Sequence, residues 1–247
     1  VAFFETGMMQ QDNWKGKWIT DTYDYTVKPA AFFRKEFNSN KTIISARAYI
    51  AVAGLYELSI NGERIGDHRL DPTYTRFDRR NLYVTYDVTE KLQQGENAIG
   101  VLLGNGWYNH QSTAVWYFDK APWRARPKFC MDLRITYSDG SVETIPTGQD
   151  WQTAFSPVIF NSIYTAEHYD ARLEQPGWNL PGFDTEEWKS SMATGAPSKN
   201  ITAQALHPIR NVTEIPAVEM KKQGESKWLF DFGRNMAGVT KMKVSGT

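Results

Sequence analysis

The sequence predicts an all-β protein built as a β-sandwich. Two observations predict it. The run from Gly54 to Asp67 contains Tyr56, Leu58 and Ile60 alternating with Glu57 and Ser59, the period-two pattern of a half-buried strand. The strand is followed by Asn61-Gly62, a pair suited to the two positive-φ positions of a type I′ hairpin. Further strand-like runs follow at short intervals, separated by turn residues, with no long helical period between them.

In chain order, the pattern predicts strands over Ala31–Phe37, Ile43–Ala53, Leu55–Ile60, Asn81–Val88, Asn97–Leu103, Pro127–Tyr137, Val142–Ile145 and Val158–Tyr164. Turn signals stand between them at Asn61-Gly62, Asp71-Pro72, Gly95, Ser138-Asp139-Gly140 and Thr147-Gly148. Asp139-Gly140, between two alternating runs, predicts a second hairpin. Asn97–Leu103 is apolar nearly throughout, as befits a central strand covered on both faces. Helices are expected to be short: a turn and a half over Asp87–Leu92, and Asp184–Trp188, where Asp184 and Glu187 form a capping-box pattern. Ser190–Gln204, rich in Ser, Ala, Thr, Gly and Pro, reads as a linker. Fresh strands are expected at Ala205–Arg210, Lys227–Phe232 and Val239–Val244, and a lone strand at Val1–Gly7. The roughly forty residues after the linker are too few for a core of their own, so the chain is expected to stop inside a second domain.

Composition narrows the function classes. The 247 residues hold 28 Lys plus Arg against 28 Asp plus Glu, and this balance argues against a nucleic-acid or anionic-membrane partner. No run reaches the about 18 apolar residues of a membrane-spanning helix, and Val1–Glu5 lacks the basic leader of a signal peptide. The single cysteine, Cys130, permits no intrachain disulfide and no zinc cluster. It alternates with Phe129, Met131, Leu133 and Ile135, so it faces away from the main apolar stripe and reads as structural filler. Nine Trp, twelve Tyr and thirteen Phe exceed what one sandwich core consumes, and aromatic faces are what the C–H faces of sugars pack against.

No catalytic residue is assigned within this chain. His68, His110, His168 and His207 are scattered. Glu167 and Asp170 are the best internal carboxylate pair, since glycoside hydrolysis needs two suitably spaced carboxyl groups. The alternative is a strand-end network neutralised by Arg172. Asp231 in Phe230-Asp231-Phe232-Gly233 matches a kinase tripeptide by chance, because no other kinase signature is present. The aromatic loops give the binding candidates: Trp107, Tyr108, His110, Trp116, Asp119 and Trp123, with Asn105 and Asn109 as further hydroxyl partners. The alternative for Trp107 and Tyr108 is that they plug the end of the core. Asp67, Asp71, Asn105 and Asp119 offer the hard oxygens calcium prefers.

Nine motifs in order resemble the non-catalytic N-terminal part of the bacterial α-L-rhamnosidases, a glycoside hydrolase family. They are Trp14–Ile19, Phe33–Phe37, Gly54–Glu57, Asn61–Asp67, Tyr86–Thr89, Leu103–Tyr108, Tyr137–Gly140, Glu167–Arg172 and Phe230–Gly238. The resemblance implies the tail strand of an upstream fibronectin-like domain over 1–12 and a jelly-roll (galactose-binding-like) sandwich over 13–200. It implies a linker and the start of a second, concanavalin-like sandwich over 201–247. A helical toroid further downstream would carry the acid and base of an inverting hydrolysis, so Glu167 and Asp170 match a motif outside the catalytic domain. Rhamnose-containing glycans and that downstream domain are the implied partners, no cofactor is implied beyond the calcium option, and a periplasmic or secreted location is implied over a cytoplasmic one. Leu70–Thr75 departs from the family pattern, which has Gly-Trp after the proline; a sugar contact there is in doubt. Two other readings compete: a free-standing lectin-like module, and a complete small hydrolase using Glu167 and Asp170.

Overall fold

The computed structural model describes residues 5–113, 115–243 and 245. The chain forms two compact units, one of residues 5–66 and 70–208, the other of 67–69 and 209 onward. The first is a β-sandwich. Its principal strands are β1 (Ala31–Ser39), β2 (Ile43–Ala53), β3 (Leu55–Ile60), β4 (Asn81–Asp87), β5 (Gly95–Gly104), β6 (Lys128–Tyr137), β7 (Val142–Pro146) and β8 (Gln152–Phe155).

One sheet runs Lys189–Ser190, β8, β1, β5, β3, Glu63–Arg64, antiparallel throughout. The other runs Met192–Ala193, Ile19–Thr20, β6, β2, β4, Ile201–Ala203, with β7 also on β6. Ile201–Ala203 joins β4 in parallel, so this segment, expected in the linker, forms the edge of the seven-stranded sheet. Period-two alternation sends Phe33, Leu58, Ile60, Ile99 and Val101 from one sheet toward Ala48, Ile50, Val52, Met131 and Leu133 from the other. Phe33 and Phe129 meet edge to face at 5.2 Å across this core. Asn61 (φ 50°) and Gly62 (φ 85°) make the expected two-residue hairpin, and Ser138–Ser141 joins β6 to β7 as the second.

Both sheets are also covered on their outer faces. On the seven-stranded sheet, Tyr49, Ala51, Tyr83 and Cys130 pack with Met8, Trp18, Phe77 and Tyr108 in a second buried cluster. Burial pushes the Cys130 thiol up to about 12, as expected of a packing residue. The buried Asp132 carboxylate accepts from Lys15 N (2.9 Å) and Gly16 N (2.7 Å) and fixes the N-terminal segment to that face. On the six-stranded sheet, Phe32 stacks on Trp178 at 3.9 Å. A Cβ at Gly100 would lie 2.8 Å from both Trp178 and Asn179, so glycine lets the 175–188 segment lie flat on β5.

That segment corrects one expectation. Asp184–Trp188 is a turn, not a helix. Asp184 Oδ1 accepts from Glu186 N, two residues on, while Trp188 stacks 6.2 Å from Phe32 and Phe183 lies 5.9 Å from Trp188. Packing of these rings outweighs the weak helix propensity of five residues. Asp87–Leu92 contributes a single 3₁₀ turn, Thr89–Lys91. The Val158–Tyr164 run is strand only over Val158–Ser162 and pairs with Ala166–Tyr169 in a separate hairpin.

The second unit holds two small antiparallel pairs: His68–Arg69 with Ile209–Arg210, and Glu219–Lys222 with Trp228–Asp231. Ala205–Arg210 is therefore mostly irregular, and 239–243 forms no strand. Val244, and Val1–Phe4 of the expected first strand, lie outside the described residues. Met220, Trp228, Leu229 and Phe230 are exposed on the second hairpin.

Candidate functional site

The aromatic candidates gather at the end of the sandwich where β5 gives way to Asn105-Gly106-Trp107. Asn105, buried at 1% exposure, ties this turn to the neighbouring hairpin. Its backbone N–H donates to Asn161 Oδ1 at 2.7 Å, its amide donates to the Asn161 carbonyl at 3.1 Å, and its own Oδ1 accepts from Asn109 Nδ2 at 3.0 Å. Arg124 in turn donates to Asn109 Oδ1 (3.1 Å) and to the Asp119 carbonyl (2.9 Å), closing the 110–124 loop.

Trp107 is the hub of the rings. It stacks on His110 at 6.2 Å and meets Phe118 at 5.1 Å, Tyr164 at 5.3 Å and Tyr74 at 5.8 Å. Phe118 reaches Trp116 at 6.1 Å and Trp123 at 6.2 Å. The structure thus joins four of the six predicted residues, Trp107, His110, Trp116 and Trp123, in one ring network. Tyr108 points the other way, into the core against Phe77 at 5.1 Å, and burial drives its phenol pKa well up. Asp119 contributes its carbonyl to the loop rather than a carboxylate to the rings.

Exposure separates scaffold from surface. His110 is fully buried, with Nε2 2.9 Å from Ser112 Oγ and Nδ1 without a hydrogen-bond partner among the described residues. Desolvation, then the Arg124 charge, lowers its pKa and holds the imidazole neutral. Trp116 and Tyr117 are 73% and 72% exposed. Both have left-handed backbone, φ 68° and 56°, a conformation that costs a non-glycine residue about 1 kcal/mol or more. Tyr74 and Tyr164 are also exposed. These two and Phe118 were absent from the predicted set. Tyr74 follows the proline of Leu70–Thr75, and Tyr164 opens the segment leading to Glu167–Arg172; only the fold brings them to Trp107.

The carboxylate pair lacks the environment of a catalytic acid. Asp170 is gripped by Arg172 through two hydrogen bonds of 2.8 and 2.6 Å, which lower its pKa to about 2, whereas a general acid needs a raised value. Glu167 is exposed on the Ala166–Tyr169 strand. Among the described residues no three His, Cys, Asp or Glu side chains gather as a metal site. Of the proposed calcium ligands, Asp67 pairs with Arg210 at 2.8 Å, Asp71 accepts from Gln204 at 3.1 Å, and Asn105 is engaged by Asn109 and Asn161.

Comparison with known proteins identifies the family. A family model described as the alpha-L-rhamnosidase N-terminal domain matches residues 41–213. An alpha-L-rhamnosidase of Formosa agariphila is 33% identical over 269 residues, covering 98% of this chain and 28% of that protein. The structure of alpha-L-rhamnosidase from Dictyoglumus thermophilum superposes with a TM-score of 0.86 at 39% identity, covering 94% of this chain and 27% of that one. The Streptomyces avermitilis alpha-L-rhamnosidase complexed with L-rhamnose superposes at 0.80 with 34% identity, covering 85% of this chain and 20% of that one. The chain therefore spans about a quarter of the length of these relatives. It belongs to the family of α-L-rhamnosidase N-terminal domains.

Proposed function

We propose that this chain is the accessory β-sandwich region of an enzyme that hydrolyses terminal α-L-rhamnosyl residues from glycans or glycosides, and that its aromatic end holds such residues. The observation that carries the sugar reading is the presentation of Trp116 and Tyr117. Two neighbouring aromatic residues stand 73% and 72% exposed on left-handed backbone, while Phe118 beside them is anchored on Trp107 and Trp123. Strain of this kind persists where the surroundings over-determine it, and it clusters at functional positions. The ring faces suit the C–H face and methyl group of a 6-deoxy sugar. A relative solved in complex with L-rhamnose supports the ligand class.

The second unit supports the modular reading. A two-stranded ribbon is marginal on its own, and this one exposes Met220, Trp228, Leu229 and Phe230. Further strands completing a second sandwich would bury them, and a catalytic domain beyond would supply the acid and base.

Calorimetric titration of the chain with L-rhamnose tests the binding role. A saturable heat at millimolar sugar, lost in Trp116→Ala, is the expected result. No heat at those concentrations would leave the region a purely structural brace.

A further inference from the structure

The loop between Thr73 and Asn81 carries three arginines, Arg76, Arg79 and Arg80, against one carboxylate, Asp78, in a chain that is neutral overall. The fold adds a further cation. Asn81 N donates to the Asn200 carbonyl at 2.8 Å and Asn81 Nδ2 to Ser198 Oγ at 3.0 Å, so Lys199 runs beside Arg80. Arg76, Arg79, Arg80 and Lys199 are all exposed.

This loop is a fixed platform. Phe77 is 2% exposed and packs on Tyr108 at 5.1 Å and on Tyr74 at 5.9 Å. The backbone N–H groups of Arg79 and Arg80 both donate to the Arg76 carbonyl, at 2.8 and 3.0 Å, and Thr75 Oγ1 donates to the Arg80 carbonyl at 2.5 Å. The platform adjoins the ring network at the aromatic end. The Arg76 guanidinium lies 5.9 Å from the centre of the Trp123 ring. Burial raises the pKa of the Tyr74 phenol, on which the Arg76 and Asp78 charges also act, and the Tyr74 ring meets Trp107 at 5.8 Å.

The positive charge of the loop is only partly neutralised. Arg76 donates to Asp78 through Nε at 2.9 Å and Nη2 at 3.1 Å. These bonds hold the Asp78 carboxyl below its usual range, and Arg79 adds to the effect. Among the described residues the side chains of Arg79, Arg80 and Lys199 make no hydrogen bond or ion pair; Arg79 has only its longer-range attraction to Asp78. A guanidinium matches a planar carboxylate through two parallel hydrogen bonds, the geometry that Arg76 and Asp78 already show. Beside aromatic faces that suit the C–H side of a sugar ring, the complementary ligand is a sugar that bears a carboxylate.

We propose that the aromatic end and this basic loop together bind an acidic glycan, with a rhamnosyl unit on the rings and the carboxylate of a neighbouring uronic acid on Arg79, Arg80 and Lys199. The inference rests on the rhamnosyl reading of the ring network and adds to it the class of glycan.

Two disaccharides separate the two readings: L-rhamnose linked to D-glucuronate, and the same compound with its carboxylate reduced to the alcohol. In calorimetric titration of the 247-residue chain at low salt, the acidic compound should bind about fivefold more tightly, the size of effect that one exposed ion pair can reach. The preference should vanish near about 1 M NaCl, where the screening length falls to about 3 Å. It should also vanish in the Arg79→Gln, Arg80→Gln double variant, whose affinity for the neutral compound should stay as it was. Both substitutions are at exposed side chains, and circular dichroism verifies the fold. Equal affinity for the two compounds at low salt would overturn the acidic-glycan inference and leave the rhamnosyl reading standing. No binding of either would overturn both. A dinucleotide bound as tightly as the acidic disaccharide would mark an unselective anion surface and overturn the inference as well.

Discussion

The Arg34 guanidinium donates to the Trp178 carbonyl at 2.8 Å, across 144 residues of chain. The same group also donates to the carbonyls of Leu180 (2.8 Å) and Phe183 (3.4 Å) and pairs with Glu36. Its side chain is 3% exposed. One buried cation thus organises the irregular strap that closes the outer face of the six-stranded sheet. Arg34→Met keeps the stem but strands three carbonyls. The expected cost is about 2–4 kcal/mol, since unsatisfied buried groups cost about 1–3 kcal/mol each and do not add fully. Urea denaturation reads it as a lower midpoint, and NMR should show the Trp178 and Leu180 amides moving most. A loss below about 0.5 kcal/mol would mean that ring stacking alone holds the strap.

Acid should destabilise the sandwich through His110. Its folded pKa lies below the ordinary 6.5 because burial penalises the charged ring. The unfolded chain therefore takes up a proton that the folded chain refuses. Stability is fully present above about 6.5 and is lost as pH falls through the folded pKa. His110→Gln should be less stable near neutrality, yet show a flatter stability profile between neutral and mildly acid pH. An unchanged profile in the variant would assign the acid sensitivity elsewhere.

Cys130 should be silent toward alkylation in the folded protein. With its thiol raised to about 12, only about one molecule in ten thousand carries a thiolate near pH 8, and the residue is 1% exposed. Iodoacetamide labelling should track global unfolding in urea. Rapid labelling in native buffer would indicate a local opening of the outer cluster around Tyr49 and Tyr83.

The Asn105–Asn161 link predicts a coupled loss. In Asn161→Ala the buried Asn105 N–H loses its acceptor, at a cost of about 1–3 kcal/mol. Because this link seats the turn that carries Trp107, the L-rhamnose response at the aromatic end should weaken with it. Calorimetry on a variant still folded by circular dichroism checks the coupling. Full-strength binding in that variant would mean the rings are positioned by their own packing.

Strands with a two-residue period were legible in the sequence. Ile43–Ala53 and Leu55–Ile60 end where the pattern ends, because alternation and the Asn61-Gly62 turn are local properties. Asp184–Trp188 was misread because its capping pattern is local while the packing of Trp188 on Phe32 is not. The candidate site divides in the same way. Trp107 and Trp123 were visible as an aromatic-rich loop, whereas Tyr108, named beside them as a binding candidate with a core plug as the alternative, packs into the core against Phe77. Tyr74 and Tyr164 were not visible in that role, since they reach Trp107 from loops 33 and 57 residues away along the numbering. Nor did the sequence mark His110 as interior: a histidine among glycines and asparagines reads as polar surface, and only the surrounding rings of Trp107, Phe118 and Tyr164 bury it.

The reading proposed above is that this chain serves a rhamnosidase without carrying its chemistry. Incubating the purified chain alone with an aryl α-L-rhamnoside and following aglycone release tests it most directly. No release above the uncatalysed background is the predicted result, because Asp170 is neutralised by Arg172 and Glu167 stands in the open. Sustained release that disappears in Glu167→Gln would contradict it and make the chain a hydrolase in its own right.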